Sequence, residues 1–153
     1  MLSLCFFAFM ACKNDKSSAE SSVNPEDLKK EEIHLTLNSD DKMKFDQKEL
    51  IVGAGQKVTL TLNHTGKMSK ETMGHNFVLL DQGVSPSKFA QRATKAKDND
   101  YVPESDKVLA HTDLIGGGES TEITFTAPEK GTYDFLCTFP GHFASMKGKL
   151  IVK

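Results

Sequence analysis

From Glu31 onward hydrophobic and polar side chains alternate. Ile33, Leu35 and Leu37 are separated by His34, Thr36 and Asn38, which predicts a strand with one buried and one wet face. Asn38-Ser39-Asp40-Asp41 is a turn cluster, after which Met43 and Phe45 resume the alternation. Residues 50–52 form a short apolar run that Gly53-Ala54-Gly55 ends. Val58, Leu60 and Leu62 alternate with Thr59, Thr61 and Asn63, predicting a further strand with His64 at its end. A polar loop over 67–72 leads into Met73-Gly74-His75-Asn76 and a strand over 77–80. Ser85 followed by Pro86 is an N-cap and first helical position, and it opens a helix expected over 88–97 with Phe89 and Ala93 on one face. Asp98-Asn99-Asp100 ends that helix, and 101–107 is loop. Strands follow at 108–111, at 121–126 with Ile123 and Phe125 inward, at 133–137 and at 149–153. Turns at 116–118 and 127–131 separate them. Short strands, frequent turns and one helix predict an all-β sandwich.

The first thirty residues break this pattern. Residues 1–12, MLSLCFFAFMAC, are apolar and uncharged, like the core of an export signal and too short to span a bilayer. The positive start expected of such a signal is missing, as it would be if the beginning were truncated. Phe9-Met10-Ala11-Cys12 is similar to a bacterial lipoprotein cleavage box, which would make Cys12 the lipid-bearing first mature residue. Residues 13–30 are Ser-, Asp-, Glu- and Lys-rich, with too little apolar surface to repay ordering. They read as a tether long enough to stand a domain off a membrane. Residues 31–153 are then the folded domain.

Composition narrows the function. The chain has 153 residues, 38% hydrophobic and 26% charged, which is enough for one domain with a core. A net charge of −2, with no basic run, offers nothing to nucleic acid or an anionic membrane surface. There is no phosphate loop, dinucleotide fingerprint, zinc-finger spacing or recognisable nucleophile motif.

The chemistry lies in Leu136–Gly148, LCTFPGHFASMKG. Cys137, His142 and Met146 follow one another as C-x4-H-x3-M. Singly, each has a plainer reading: a buried small hydrophobe, a surface imidazole, a core filler. Together they offer thiolate, imidazole and thioether, the soft and borderline donors that suit copper. Met146 lies about one helical turn past His142, on the same side if the chain coils there. A trigonal copper site with an axial Met needs a second imidazole, and MGHNF supplies His75 behind Gly74.

CTFPGHFASMKG resembles the ligand loop of azurins, blue copper proteins of the cupredoxin family. MGHNFVLL, LAHTDLIGGGE and MKFD are also azurin-like, in azurin order, so that the resemblance covers about 31–153. It implies a Greek-key cupredoxin sandwich or barrel with a helical insertion. It implies one type 1 copper held by His75, Cys137 and His142, with Met146 as long axial ligand and the Gly74 carbonyl as a weaker contact. It further implies that Asn76 hydrogen-bonds across to the ligand loop. By the same resemblance Phe139 and Pro140 would crowd the sulfur, and with Met43, Met68, Met73 and Ala144 they would form an apolar docking patch around His142. His64 and His111 match other azurin histidines and are not assigned to the metal. Two departures stand out: no cysteine lies between Cys12 and Cys137 to form the azurin disulfide, and there is no Trp.

The function implied is single-electron transfer, not catalysis, by a monomer in the periplasm of a Gram-negative bacterium. Partners of that kind are c-type cytochromes, reductases or peroxidases. A copper storage or delivery protein is the alternative, although the six Met are dispersed. Thr138, not His, follows Cys137, which argues against a multicopper enzyme.

Overall fold

β4 (Lys57–His64) sits at the centre of one sheet because its alternating Val58, Leu60 and Leu62 are fully buried. A computed structural model describes residues 24–153. The apolar leader, Cys12 and residues 13–23 of the polar tail lie outside the described residues. In chain order the strands are β1 (Glu32–Asp40), β2 (Lys44–Phe45), β3 (Glu49–Val52), β4, β5 (Val78–Leu80), β6 (Val108–His111), β7 (Ser120–Thr126), β8 (Gly131–Leu136) and β9 (Lys147–Val152). They build two sheets, in the orders β2-β1-β4-β7 and β3-β9-β8-β5-β6. No ladder among the described residues joins the sheets, so the architecture is a sandwich and not a closed barrel.

β1 runs parallel to β4, in register from Glu32 beside Lys57 to Ser39 beside His64. β3 and β9 make a second parallel pair. Between the sheets Leu37, Phe45, Leu50, Phe77, Leu79, Phe135 and Leu150 join the buried residues of β4 in one core. Phe135 lies 5.2 Å from Phe77 and 5.8 Å from Phe45, ring centre to ring centre. With no Trp available, these three phenylalanines fill the space.

The single longer helix, α2 (Pro86–Ala93), covers the outer face of the second sheet. Phe89 packs with Val78, Leu80, Val102 and Leu136 there, whereas Leu79 and Phe135 face the inner core. Burial on both faces explains why 77–80 reads as an unbroken apolar run. The helix stops at Ala93, short of the expected 97. Residues 94–99 have no fully buried side chain to anchor a further turn, and the chain tightens into a 3-10 turn at Lys97–Asn99. A single helical turn, α1 (Lys70–Met73), replaces part of the expected polar loop.

The last part of the polar tail has fixed contacts. A 3-10 turn at Asp27–Lys29 lies against the β3–β4 turn. The buried Gln56 amide donates to the carbonyls of Asp27 and Lys30 at 2.8 and 2.9 Å, and its oxygen accepts from Gly53 N at 2.8 Å. Gly53 is needed because a Cβ there would sit 2.6 Å from the Leu28 carbonyl. These hydrogen bonds tie the N-terminal segment to the sandwich.

Candidate metal centre

β8 delivers Cys137 to the end of the sandwich where β4 finishes at His64. The loop beyond doubles back immediately. Gly141 takes φ +86°, a conformation open to glycine, and a 3-10 turn follows at His142–Ala144. Met146 N donates to His142 O at 2.9 Å, and Cys137 N donates to Met146 O at 2.9 Å, so the loop is closed at its base. Met146 is fully buried beside Cys137 in the core.

His75 arrives from the other side. Its main chain exchanges two 2.9 Å hydrogen bonds with Ile115. Gly74 before it is enforced: a Cβ would lie 2.5 Å from Lys70 O and 2.9 Å from the Leu114 side chain. His75 Nε2 donates to Asp40 O at 2.9 Å, which leaves Nδ1 unprotonated and turned inward.

Cys137 Sγ lies 4.0 Å from His75 Nδ1, 3.8 Å from His142 Nδ1 and 4.0 Å from Gly74 O. The three side-chain donor atoms all fall within 4.8 Å of one another, in residues 0–3% exposed. Metal bonds of roughly 2.1 Å to nitrogen and 2.3 Å to sulfur, opened to roughly 120°, separate such donors by about 3.8 Å. The residues therefore fit a single trigonal metal ion, and their soft and borderline character fits copper.

Burial tunes each donor. It pushes the Cys137 thiol up to about 11, with the amides of Asn76 and Phe139 pulling the other way. It lowers His142 to about 4, helped by charge on His75 and His64. His75 is lowered by burial against the opposing Asp40 hydrogen bond. At neutral pH both imidazoles are thus unprotonated and ready to ligate, while the thiol must lose its proton to the metal.

The surrounding groups hold the two loops together. Asn76 Oδ1 accepts from Thr138 N at 2.8 Å and its amide donates to Thr138 Oγ1 at 2.8 Å, as the sequence led us to expect. The same amide donates to Asp100 O at 2.9 Å. His64 stacks on His75 at 4.3 Å, its Nε2 donating to Met73 O and its Nδ1 accepting from Gly66 N. Both its nitrogens are used, which keeps it off the metal. His111 lies exposed on β6 with Nδ1 against its own neighbour's carbonyl. Met43 and Met68 are each 37% exposed, and Met73, Phe139, Pro140 and Ala144 are also at least partly exposed.

Sequence reasoning missed Asp41 and Thr112. The Asp41 carboxylate accepts from Lys67 N and Met68 N, pinning the loop that carries Met68. Asp in a turn cluster was the available signal. Thr112 Oγ1 accepts from Phe77 N, and nothing in its sequence surroundings marks it.

A β-sandwich with a buried Cys-His-His pocket at one end defines a copper protein of the electron-transfer class. The profile of the "Copper binding proteins, plastocyanin/azurin family" matches residues 31–153. Azurin-1 of Alcaligenes xylosoxydans xylosoxydans is 40% identical over 124 residues, covering 78% of this chain and 96% of that protein. Outer membrane protein H.8 of Neisseria gonorrhoeae is 44% identical over 120 residues, 75% of this chain but only 64% of that protein. Auracyanin A, a blue copper protein of Chloroflexus aurantiacus, superposes with a TM-score of 0.73 at 32% identity, covering 80% of this chain and 99% of that one. The chain belongs to the plastocyanin/azurin family of copper-binding proteins, and its fold is a cupredoxin sandwich.

Proposed function

We propose that His75, Cys137 and His142 hold one type 1 copper, with Met146 as the axial ligand and the Gly74 carbonyl as a weaker axial contact. The protein then carries single electrons between redox proteins outside the cytoplasm and catalyses no reaction of its own. The observation that carries this reading is the convergence of a thiol and two imidazole nitrogens at 3.8–4.0 Å in a fully buried pocket. Copper supplies the one-electron couple when bound. The chain supplies the rigidity: Cys137 is tied to Met146, His75 to Asp40 and Ile115, and Asn76 to both loops. Donors fixed in this way cannot follow the geometric preference of either oxidation state, so little rearrangement accompanies electron arrival. Phe139 and the core exclude water from the sulfur, which favours the less charged, reduced site.

Burial of every donor speaks against the storage or delivery alternative, since a delivery site must release its ion readily. Partners dock at the apolar rim of Met43, Met68, Met73, Phe139, Pro140 and Ala144. C-type cytochromes, reductases or peroxidases are the class suited to it, and a small apolar patch permits quick release. The protein acts as a monomer in the periplasm of a Gram-negative bacterium, held to a membrane by lipid on Cys12. The similarity to an outer membrane protein of Neisseria supports that location. Mass spectrometry of the native protein should find lipid on Cys12; an unmodified N-terminus beyond it rejects the anchor.

The experiment for the centre is a visible spectrum after Cu(II) addition. An intense blue thiolate-to-copper band is expected. A colourless protein would show that the ligand set does not close.

A further inference from the structure

Two consecutive residues other than glycine, Asp100 and Tyr101, take positive φ angles of 50° and 61°. Asp tolerates the left-handed region, but a bulky aromatic there is an outlier. Such a conformation persists only where its surroundings impose it, and it clusters at functional sites. Here the surroundings are visible. Tyr101 N donates to Ala96 O at 2.9 Å, and Val102 next to it is buried under α2. Asp100 O accepts from Asn76, and Asp100 Oδ2 accepts from Leu114 N at 3.1 Å.

What the strained corner achieves is the placement of one ring. Tyr101 meets Phe139 edge-on, centroids 5.2 Å apart at 69°. Phe139 in turn lies 4.7 Å from the His142 ring, which is 5.0 Å from His75. Tyr101 and Phe139 are both partly exposed, whereas His142 is buried. We infer that Tyr101 is a positioning residue for electron transfer, clamping Phe139 over His142 so that water is kept from the ligand edge. This rests on the copper-site reading and adds to it a residue outside both ligand loops. The helix-side segment thereby controls the dryness of the centre: Asp100 fixes Asn76 and Leu114, and Tyr101 fixes Phe139.

The test uses full-length protein carrying Tyr101→Leu, Tyr101→Phe and Tyr101→Gly. Leu removes the aromatic edge, Phe keeps it without the hydroxyl, and Gly removes it while adopting positive φ freely. The reduction potential of the copper-loaded protein should fall in Tyr101→Leu and Tyr101→Gly, because water favours the more charged oxidised site. The electron self-exchange rate should fall several-fold with it. In metal-free protein, amide hydrogen exchange over 138–146 should quicken in the same two variants. Tyr101→Phe should match the wild type in all three readouts. Should Tyr101→Leu fail to fold, Tyr101→Gly decides, since its backbone is relieved of strain. An unchanged potential and unchanged exchange without the ring overturn the inference, as does a Phe variant as impaired as the Leu variant. If the wild type forms no blue band at all, it is the copper-site reading that fails, and the metal-free exchange data still report on the clamp.

Discussion

The amide of Cys137 donates to the carbonyl of Met146 at 2.9 Å, so the first and last proposed ligands of the loop are joined through the backbone. Two further main-chain links, Met146 N to His142 O and the paired bonds of His75 with Ile115, hold the segments that carry the donors. Such preorganisation makes the consequences of single substitutions specific.

Cys137→Ala removes the only thiol among the described residues. The blue charge-transfer band should vanish while the fold survives, since a buried Cys behaves as a small hydrophobe. Visible absorption and a thermal melt, recorded together, separate the two effects. A variant that is still blue would sink the site assignment.

Met146 is fully buried, so its side chain can be altered with little new solvent access. Met146→Leu should retain copper and shift the reduction potential, since a weak axial bond tunes the centre without holding it. Met146→Ala should in addition lower stability by about 2–5 kcal/mol through the cavity it leaves. Voltammetry checks the first claim and urea unfolding the second. An unchanged potential in Met146→Leu means that Met146 is not the axial ligand.

Asn76 is buried and bonds to Thr138 and Asp100 at once. Asn76→Ala orphans buried polar partners at about 1–3 kcal/mol each. Urea unfolding should show a loss of that order, with faster amide exchange in the ligand loop. Normal stability would mean that water fills the gap.

The pH dependence follows from the shifted groups. His142 has its folded value depressed to about 4. Between the ordinary imidazole value near 6.5 and about 4, the unfolded chain binds more protons, so metal-free stability should fall as pH drops through that window. Cys137 is raised to about 11, so above about 9 the unfolded chain sheds its proton first and stability should fall again as pH rises. Near pH 7, copper must displace the thiol proton. Calorimetry in buffers of different ionisation heat should therefore count about one proton released per ion bound. No release would mean that Cys137 does not ligate.

The strands were legible because alternation survives wherever one face of a sheet is wet. Val58, Leu60 and Leu62 announce β4, and Ile33, Leu35 and Leu37 announce β1, although nothing in the pattern says that the two run parallel. The converging donors were legible because Cys137 and His142 share one short loop with Pro140 and Gly141. Other features left no local trace. The turn Lys70–Met73 buries no residue and so has no amphipathic stripe. The left-handed Asp100-Tyr101 corner is imposed by tertiary contacts, where sequence reasoning looks for glycine. The docking of Gln56 depends on carbonyls some thirty residues away, and an isolated Gln at a strand start carries no signal for it.

That Gln56 clamp also fixes the end of the sandwich at which the N-terminal segment joins. Gln56 stands at one end of β4 and His64 at the other, and the strand's eight residues span roughly 26 Å. The pinned segment at 27–30 and the proposed metal centre therefore lie at opposite ends of β4. Were the chain moored by lipid on Cys12, the segment leading to that lipid would join the sandwich at the end remote from His75, Cys137 and His142.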